Sequence, residues 1–182
     1  MAFQIDSKGW LAGARHIPSP NYDDRPPNTA IDMVVVHSIS LPPGQFGGDG
    51  VERFFTNRCD PAVHPCFEEL RHFKLSAHFF VRRDGEIIQF VSCLDRAFHA
   101  GVSAWKGRER CNDFSIGIEL EGGDFWPYED AQYLALNALL GAIRAAYPIV
   151  HVVGHCDIAP ERKTDPGPYF DWQRVAIAAG ER

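Results

Sequence analysis

His37 and His155 each end an apolar, β-branched run, and each is followed by a loop carrying Pro or Gly. Strand ends of this kind are where α/β folds build their sites. Asp165 follows His155 by ten residues, and Pro166 behind it forces an extended conformation that can hold its carboxylate in one place. Two imidazoles and a carboxylate, with a fourth position left for water, make a catalytic zinc shell. Spacing alone leaves open that either histidine is structural, since histidine is intermediate in burial. His151 stands four residues before His155, and on a helix the two could chelate one metal. Val152-Val153-Gly154 reads instead as strand, where four residues span roughly 13 Å, so at most one of them is a ligand. His155, which abuts the loop, is the better choice; His16, His64 and His72 fall in loops and need no role.

Three further side chains have both a chemical and a bland reading. Glu119 is a general base for a metal-activated water or a solvated residue on a polar strand face; its place between Ile118 and Leu120 near the sheet centre makes burial costly and favours the former. Lys163, two residues before Asp165, is a surface lysine or, beside a metal, the neutraliser of a developing oxyanion. Cys156 invites a thiol-nucleophile reading, against which adjacent strand residues point to opposite faces. The chain has no H-E-x-x-H, G-x-S-x-G, G-x-G-x-x-G or Walker loop.

These residues need elements to place them. The first 30 residues read as irregular, broken by Pro18, Pro20, Pro26 and Pro27. Residues 31–38 form a buried central strand ending at His37. A loop over 41–50 precedes a short helix over 51–56 that Asp49 can cap, and 57–75 is irregular. Segments 77–81 and 86–91 flank Asp84-Gly85 as a hairpin. In 115–121, Ile116, Ile118 and Leu120 alternate with Glu119, which therefore points away from the apolar face. A helix from 128 to 147 carries the stripe Ala131, Leu134, Ala135, Ala138, Leu139, Ala142, Ile143 and Ala146. A strand at 149–153 and a helix from 172 to 179, capped by Asp171, complete the pattern. The expected class is α/β (α+β), a central mixed sheet flanked by helices in one domain over 1–182 with its core at about 10–172.

The 182 residues suit one domain, and a net charge of −6 argues against a nucleic-acid partner held by phosphate neutralisation. Sixteen Gly and thirteen Pro exceed the background of roughly 12% and imply long, shaped loops. No secretory signal and no run near the roughly 20 apolar residues of a membrane span is visible. Five cysteines, odd in number and without a C-x-x-C pair, read as reduced thiols, so the expected location is the cytoplasm, with no membrane partner. Residues 44–74 have few periodic apolar positions and are expected to form a mobile lid.

Four stretches resemble a known family: PSPNYD at 18–23, VVHSISLPPGQFGG at 35–48, GRERCNDFSIGIELEG at 107–122 and GHCDIAPERKTDPGP at 154–168. They are similar to the cytoplasmic 1,6-anhydro-N-acetylmuramyl-L-alanine amidases of Gram-negative bacteria, within the type 2 N-acetylmuramoyl-L-alanine amidase family. The similarity runs from about residue 10 to 172. It implies the fold shared with phage amidases and peptidoglycan recognition proteins, one Zn²⁺ per chain on His37, His155 and Asp165, Glu119 as catalytic acid, and Lys163 at the oxyanion. The implied reaction is hydrolysis of the lactyl amide between anhydro-muramic acid and L-alanine of the stem peptide, in cell-wall recycling, by a monomer. Loss of that activity would raise β-lactamase expression through accumulated muropeptides.

The resemblance also implies a substrate-binding set of Ser38, Lys74, His99 and Arg110, and here the chain departs from the family. Ser38 stands where Asn is typical, Lys74 where Arg is usual, and Phe98 precedes His99-Ala100-Gly101 in place of Trp. Ser38 is shorter, so a hydrogen bond to the stem peptide is lost or bridged by water. Lys74 keeps the charge without the bidentate fork, and Arg110 can meet a stem-peptide carboxylate. For an anionic muropeptide the net charge is unfavourable, so Lys74, Arg110 and Lys163 must make the groove locally positive. Alternatives of the same fold are a muropeptide-binding module without catalysis and an amidase acting on polymeric peptidoglycan.

Overall fold

The run Met33-Val34-Val35-Val36 has no polar face, and all four side chains are fully buried, as a strand covered on both sides requires. The computed structural model describes residues 3–177. Among them the strands are β1 (Arg15–His16), β2 (Tyr22–Asp23), β3 (Met33–Ile39), β4 (Phe79–Val81), β5 (Ile87–Gln89), β6 (Arg96–Ala97), β7 (Ala104–Trp105), β8 (Arg108–Glu109), β9 (Ser115–Glu121) and β10 (His151–Gly154). The α-helices are α1 (Gly50–Phe55), α2 (Phe67–Leu70), α3 (Asp130–Ala146) and α4 (His155–Ile158). The main sheet runs β1-β5-β4-β9-β3-β10. Only the β4–β5 hairpin is antiparallel; every other neighbouring pair is parallel, so the sheet is mixed, as expected.

β9 and β10 lie on either side of β3, and α3 is the crossover between them. One face of the sheet, carrying Val34, Val36, Ile116, Ile118 and Leu120, packs on Leu136, Leu139, Leu140 and Ile143 of α3. Each such side chain contributes about 1.5–3 kcal/mol by leaving water. The residues between them, Val35, His37, Gly117 and Glu119, face the other way. There α1 covers part of the sheet, with Val51, Phe54 and Phe55 packed on Phe80 and Ile88.

The structure corrects several expectations. The buried face of α3 is Gln132, Tyr133, Leu136, Leu139, Leu140, Ala142 and Ile143, while Leu134 of the expected stripe is exposed. Gln132 turns the helix: its Nε2 donates to the carbonyls of Glu121 (3.0 Å) and Val81 (3.3 Å), and its Oε1 accepts the Glu129 N–H. Asp49 does not cap α1, because its carboxylate takes the Arg53 guanidinium at 2.8 Å instead. Segment 57–75 contains the one-turn helix α2, pinned by buried Phe67. The first 30 residues contribute β1 and β2, too short to show periodicity.

Asp171 does accept the Gln173 N–H, but only a 3-10 turn, Trp172–Arg174, follows; Val175 is extended and buried. The rest of the expected helix, from 178 onward, lies outside the described residues. No described helix is long and apolar enough to cross a membrane.

Candidate active site

Parallel pairing of β3 with β9 sets His37 opposite Glu119, so both rise from the sheet face away from α3. Gly154, the last residue of β10, pairs with Val36, which carries the next residue, His155, to the side of His37. His155 then opens α4, whose start is fixed by the Gly154 N–H donating to Asp157 Oδ2 at 2.7 Å. The chain returns to the same place because the Cys156 N–H donates to the Asp165 carbonyl at 2.9 Å. Two more bonds hold that returning loop: Tyr128 Oη donates to the Pro166 carbonyl and Thr164 Oγ1 to Asp124 Oδ2, both at 2.6 Å.

The result is a near-equilateral triangle of ligand atoms. His37 Nδ1 lies 2.9 Å from His155 Nδ1, and each lies 3.1 Å from Asp165 Oδ2. His155 Nε2 faces the Ala100 carbonyl at 3.0 Å. A carbonyl only accepts, so neutral His155 keeps its proton on Nε2 and turns the Nδ1 lone pair toward a carboxylate oxygen. Two acceptors at that separation need a proton or a metal ion between them. Tetrahedral zinc with bonds of about 2.0–2.1 Å places its ligand atoms about 3.3 Å apart, close to the edges seen here. The three residues are the metal-competent cluster found among the described residues.

Electrostatics set the site's protonation. Burial holds His37 neutral down to about pH 4, against the pull of Asp165. Burial alone would raise Asp165, but hydrogen bonds from His155 and His37 outweigh it and hold the carboxyl far below the usual range. Glu119 goes the opposite way: burial first, then the Asp165 charge, pushes its carboxyl well above the usual range, and Lys163 only partly offsets this. Its Oε2 is buried and without a hydrogen-bond partner. An acid of raised pKa with a free oxygen can both take and return a proton.

Two cavities meet at this centre. One, of about 300 Å³, is walled by Phe54, Phe55, Leu70 and Phe73 above His37 and Glu119. The other, of about 500 Å³, runs past Gly123, Phe125 and Trp126. Ser38, Lys163 and Asp165 line both, so they sit at the junction. Lys74 is exposed, between Phe73 and Leu75, which line the first cavity. Arg110 is exposed, pairs with Asp113 at 3.3 Å, and lines a separate groove with Val102 and Arg162. The structure thus brings His37, His155, Asp165, Glu119, Lys163, Ser38 and His99 together, leaves Lys74 at the rim, and places Arg110 apart.

Cys156 belongs to a helix, so its divergence from His155 is the helical step of about 100° and not strand alternation. His151 sits at the far end of β10, its ring against Trp105. Sequence reasoning missed Tyr128, read only as a helix start. A Cβ at Gly122 would fall 2.6 Å from the Tyr128 ring, so the Gly122-Gly123 pair was the available signal.

The match to a family model described as N-acetylmuramoyl-L-alanine amidase covers residues 27–168. The chain is 56% identical over 172 residues to 1,6-anhydro-N-acetylmuramyl-L-alanine amidase AmpD of Escherichia coli, covering 93% of this chain and 94% of that one. A crystal structure of a selenomethionine AmpD derivative superposes with a TM-score of 0.90 at 57% identity, covering 92% of this chain and 95% of that one. The amidase AmiD from E. coli, solved with anhydro-N-acetylmuramic acid-L-Ala-D-γ-Glu-L-Lys, superposes with a TM-score of 0.64 at 30% identity, covering 98% of this chain and 67% of that one.

Proposed function

We propose, from the premise that the chain belongs to the N-acetylmuramoyl-L-alanine amidase family, that it hydrolyses the amide between 1,6-anhydro-N-acetylmuramic acid and the L-alanine of the stem peptide. The observation that carries the reading is the convergence of three lone-pair donors, His37 Nδ1, His155 Nδ1 and Asp165 Oδ2, beside a buried Glu119 whose Oε2 has no hydrogen-bond partner. The anhydro-sugar specificity draws on the E. coli relative of the same length and on the ligand held by AmiD.

His37, His155 and Asp165 would hold one Zn²⁺. Bound there, zinc supplies Lewis-acid polarisation of the scissile carbonyl and lowers the pKa of water toward about 7. Glu119 receives the proton of the attacking water at Oε2 and later delivers it to the leaving alanine amine. Its raised pKa suits both halves of that task. Lys163, at the junction of the two cavities, brings an ammonium to the developing oxyanion. Phe54, Phe55 and Phe73 exclude water around the reacting amide. Ser38 and Lys74 orient the stem peptide, and Arg110 meets a carboxylate toward its far end. The products are the anhydro-sugar and a free peptide, and the proposal is completed by a monomeric enzyme working in cytoplasmic cell-wall recycling, whose loss would induce β-lactamase.

Mass-spectrometric identification of products tests this, with an anhydro-muropeptide and intact peptidoglycan supplied in parallel. The expected result is release of free stem peptide from the anhydro-muropeptide by the zinc-loaded protein. Cleavage of polymer alone, or binding of muropeptide with no cleavage, would replace this reading with an envelope amidase or a binding module.

A further inference from the structure

His99 lines the cavity wall, yet its ring nitrogens are turned away from the open space and toward the protein. Its Nδ1 lies 2.9 Å from His37 Nε2, and the two rings meet edge to face with centroids 5.0 Å apart. Its Nε2 lies 3.3 Å from Ser115 Oγ. Ser115 is fully buried and its hydroxyl donates to the Cys111 carbonyl at 2.6 Å, which leaves the oxygen's lone pairs facing His99.

These contacts admit one consistent set of protons. With the His37 Nδ1 lone pair on a metal, its proton is on Nε2 and is donated to His99 Nδ1. His99 then carries its own proton on Nε2 and donates it to Ser115, which donates to Cys111. Every donor meets an acceptor. The next residue serves the other imidazole, since the Ala100 carbonyl accepts from His155 Nε2 at 3.0 Å. Both backbone N–H groups of this pair are held by one oxygen, Asn112 Oδ1, at 3.2 Å from His99 and 2.8 Å from Ala100. Arg162 Nη2 donates to the Ala100 carbonyl as well. Two adjacent residues therefore form a braced strap behind both histidines of the triad.

The sheet leaves room for this strap at one position. A Cβ on Gly117, in the middle of β9, would lie 2.5 Å from the His99 ring. Gly117 is Glu119's neighbour on the same face, so a side chain there would push His99 off His37.

We propose that His99 is a positioning residue, one that fixes the tautomer and ring orientation of His37 for metal binding through a chain ending at Ser115, and is not a contact for the substrate. The proposal rests on the zinc reading above. Outer partners of metal-bound histidines typically account for about 10–100-fold in metal affinity.

Zinc affinity of the full-length protein, measured by competition with a chromogenic chelator, tests it alongside steady-state kinetics. His99→Ala is expected to weaken zinc about 10–100-fold. His99→Asn, whose amide oxygen can stand in for Nδ1, is expected to recover most of that loss. Gly117→Ala is expected to weaken zinc in the same direction. Nitrogen-15 spectra of the zinc-loaded wild type give a readout that needs no variant: His99 should show a bare Nδ1 and a protonated Nε2. A His99→Ala protein that binds zinc like wild type but has a raised KM would overturn the proposal in favour of a substrate contact, as would a proton on His99 Nδ1. A wild-type protein that binds no zinc would overturn the underlying zinc reading, whatever His99 does.

Discussion

His37 and Glu119 are register partners on adjacent parallel strands, the fifth residue of β3 beside the fifth of β9. Their backbones are therefore held about 4.8 Å apart by the sheet's own hydrogen bonds. The metal ligand and proton-transfer group proposed here need fixed separation more than proximity, and no loop intervenes between them. A one-residue slip of β9 would bury Glu119 against α3 and present Ile118 or Leu120 to the site, so the apolar alternation that folds the sheet also guards the chemistry.

Glu119→Gln keeps the shape and removes the proton carrier. Turnover is expected to fall by about 10²–10⁴-fold with zinc content unchanged. Metal analysis and kcat on the same preparation check this; a wild-type rate would remove the acid–base role.

Lys163→Met removes an ammonium from the junction of the two cavities while keeping a similar stem. The loss should appear in kcat, by about 10²–10³-fold, with KM little changed, because the charge it offsets develops only toward the transition state. A rise in KM alone would reassign Lys163 to substrate binding.

What the sequence showed of this site, and what it hid, follows from range. Period-2 alternation placed Glu119 off the apolar face, and runs of β-branched residues lead to His37 and His155, although β3 continues past His37 to Ile39 because its pairing with β9 does, and His155 opens α4 rather than ending β10. Both signals live within seven residues. The pairing of His37 with His99 joins residues 62 apart through a groove over Gly117, and Tyr128 meets Pro166 across 38 residues. Neither leaves a local pattern, so His99 was grouped with substrate contacts by resemblance alone. The face of α3 is only partly legible for a related reason: Leu139, Ala142 and Ile143 of the expected stripe are buried, but Ala and Leu alternate so closely there that one polar residue, Gln132, decides the rotation by bonding to the sheet.

Removing the metal should leave the His155 and Asp165 lone pairs opposed. Zinc present at about 100 times its Kd is expected to add about 2.7 kcal/mol to unfolding stability, so chelation should lower Tm and abolish activity together, and zinc should restore both. Asp165→Asn should bind zinc more weakly because it lacks the carboxylate charge. Activity that survives exhaustive chelation would exclude the metal.

Part of the segment expected to form a lid, 44–74, is tied to the core. Val51, Phe54 and Phe55 are core residues, Asn57 trades two side-chain hydrogen bonds with Asn21, and the Gly47 N–H is held by Glu121. Fast hydrogen exchange should therefore be confined to 58–66 and 71–75, where most side chains are exposed, with 50–55 protected. Exchange at 58–66 as slow as in β9 would mean that this wall of the cavity is fixed.

His78 should shape the acid limit of stability. It is fully buried, its Nδ1 accepts the Gly117 N–H at 3.0 Å, and its Nε2 lies 3.1 Å from both the Asp95 carbonyl and Arg25 Nη2. Burial first, then the Arg25 charge, lowers its pKa to about 3, whereas the unfolded chain titrates near 6.5. A folded pKa below the unfolded one means that the unfolded state binds the extra proton. The stabilisation is thus complete above about pH 6.5 and is lost as pH falls toward 3. One proton taken up on unfolding corresponds to about 1.4 kcal/mol per pH unit inside that window. His78→Asn keeps an acceptor for Gly117 and cannot titrate. Urea unfolding between pH 6 and 4, with wild type and variant in the same metal state, should show a slope shallower by about that amount in the variant. Equal slopes would mean that His78 is already charged in the folded protein, and the Arg25 contact would then have to be broken to admit it.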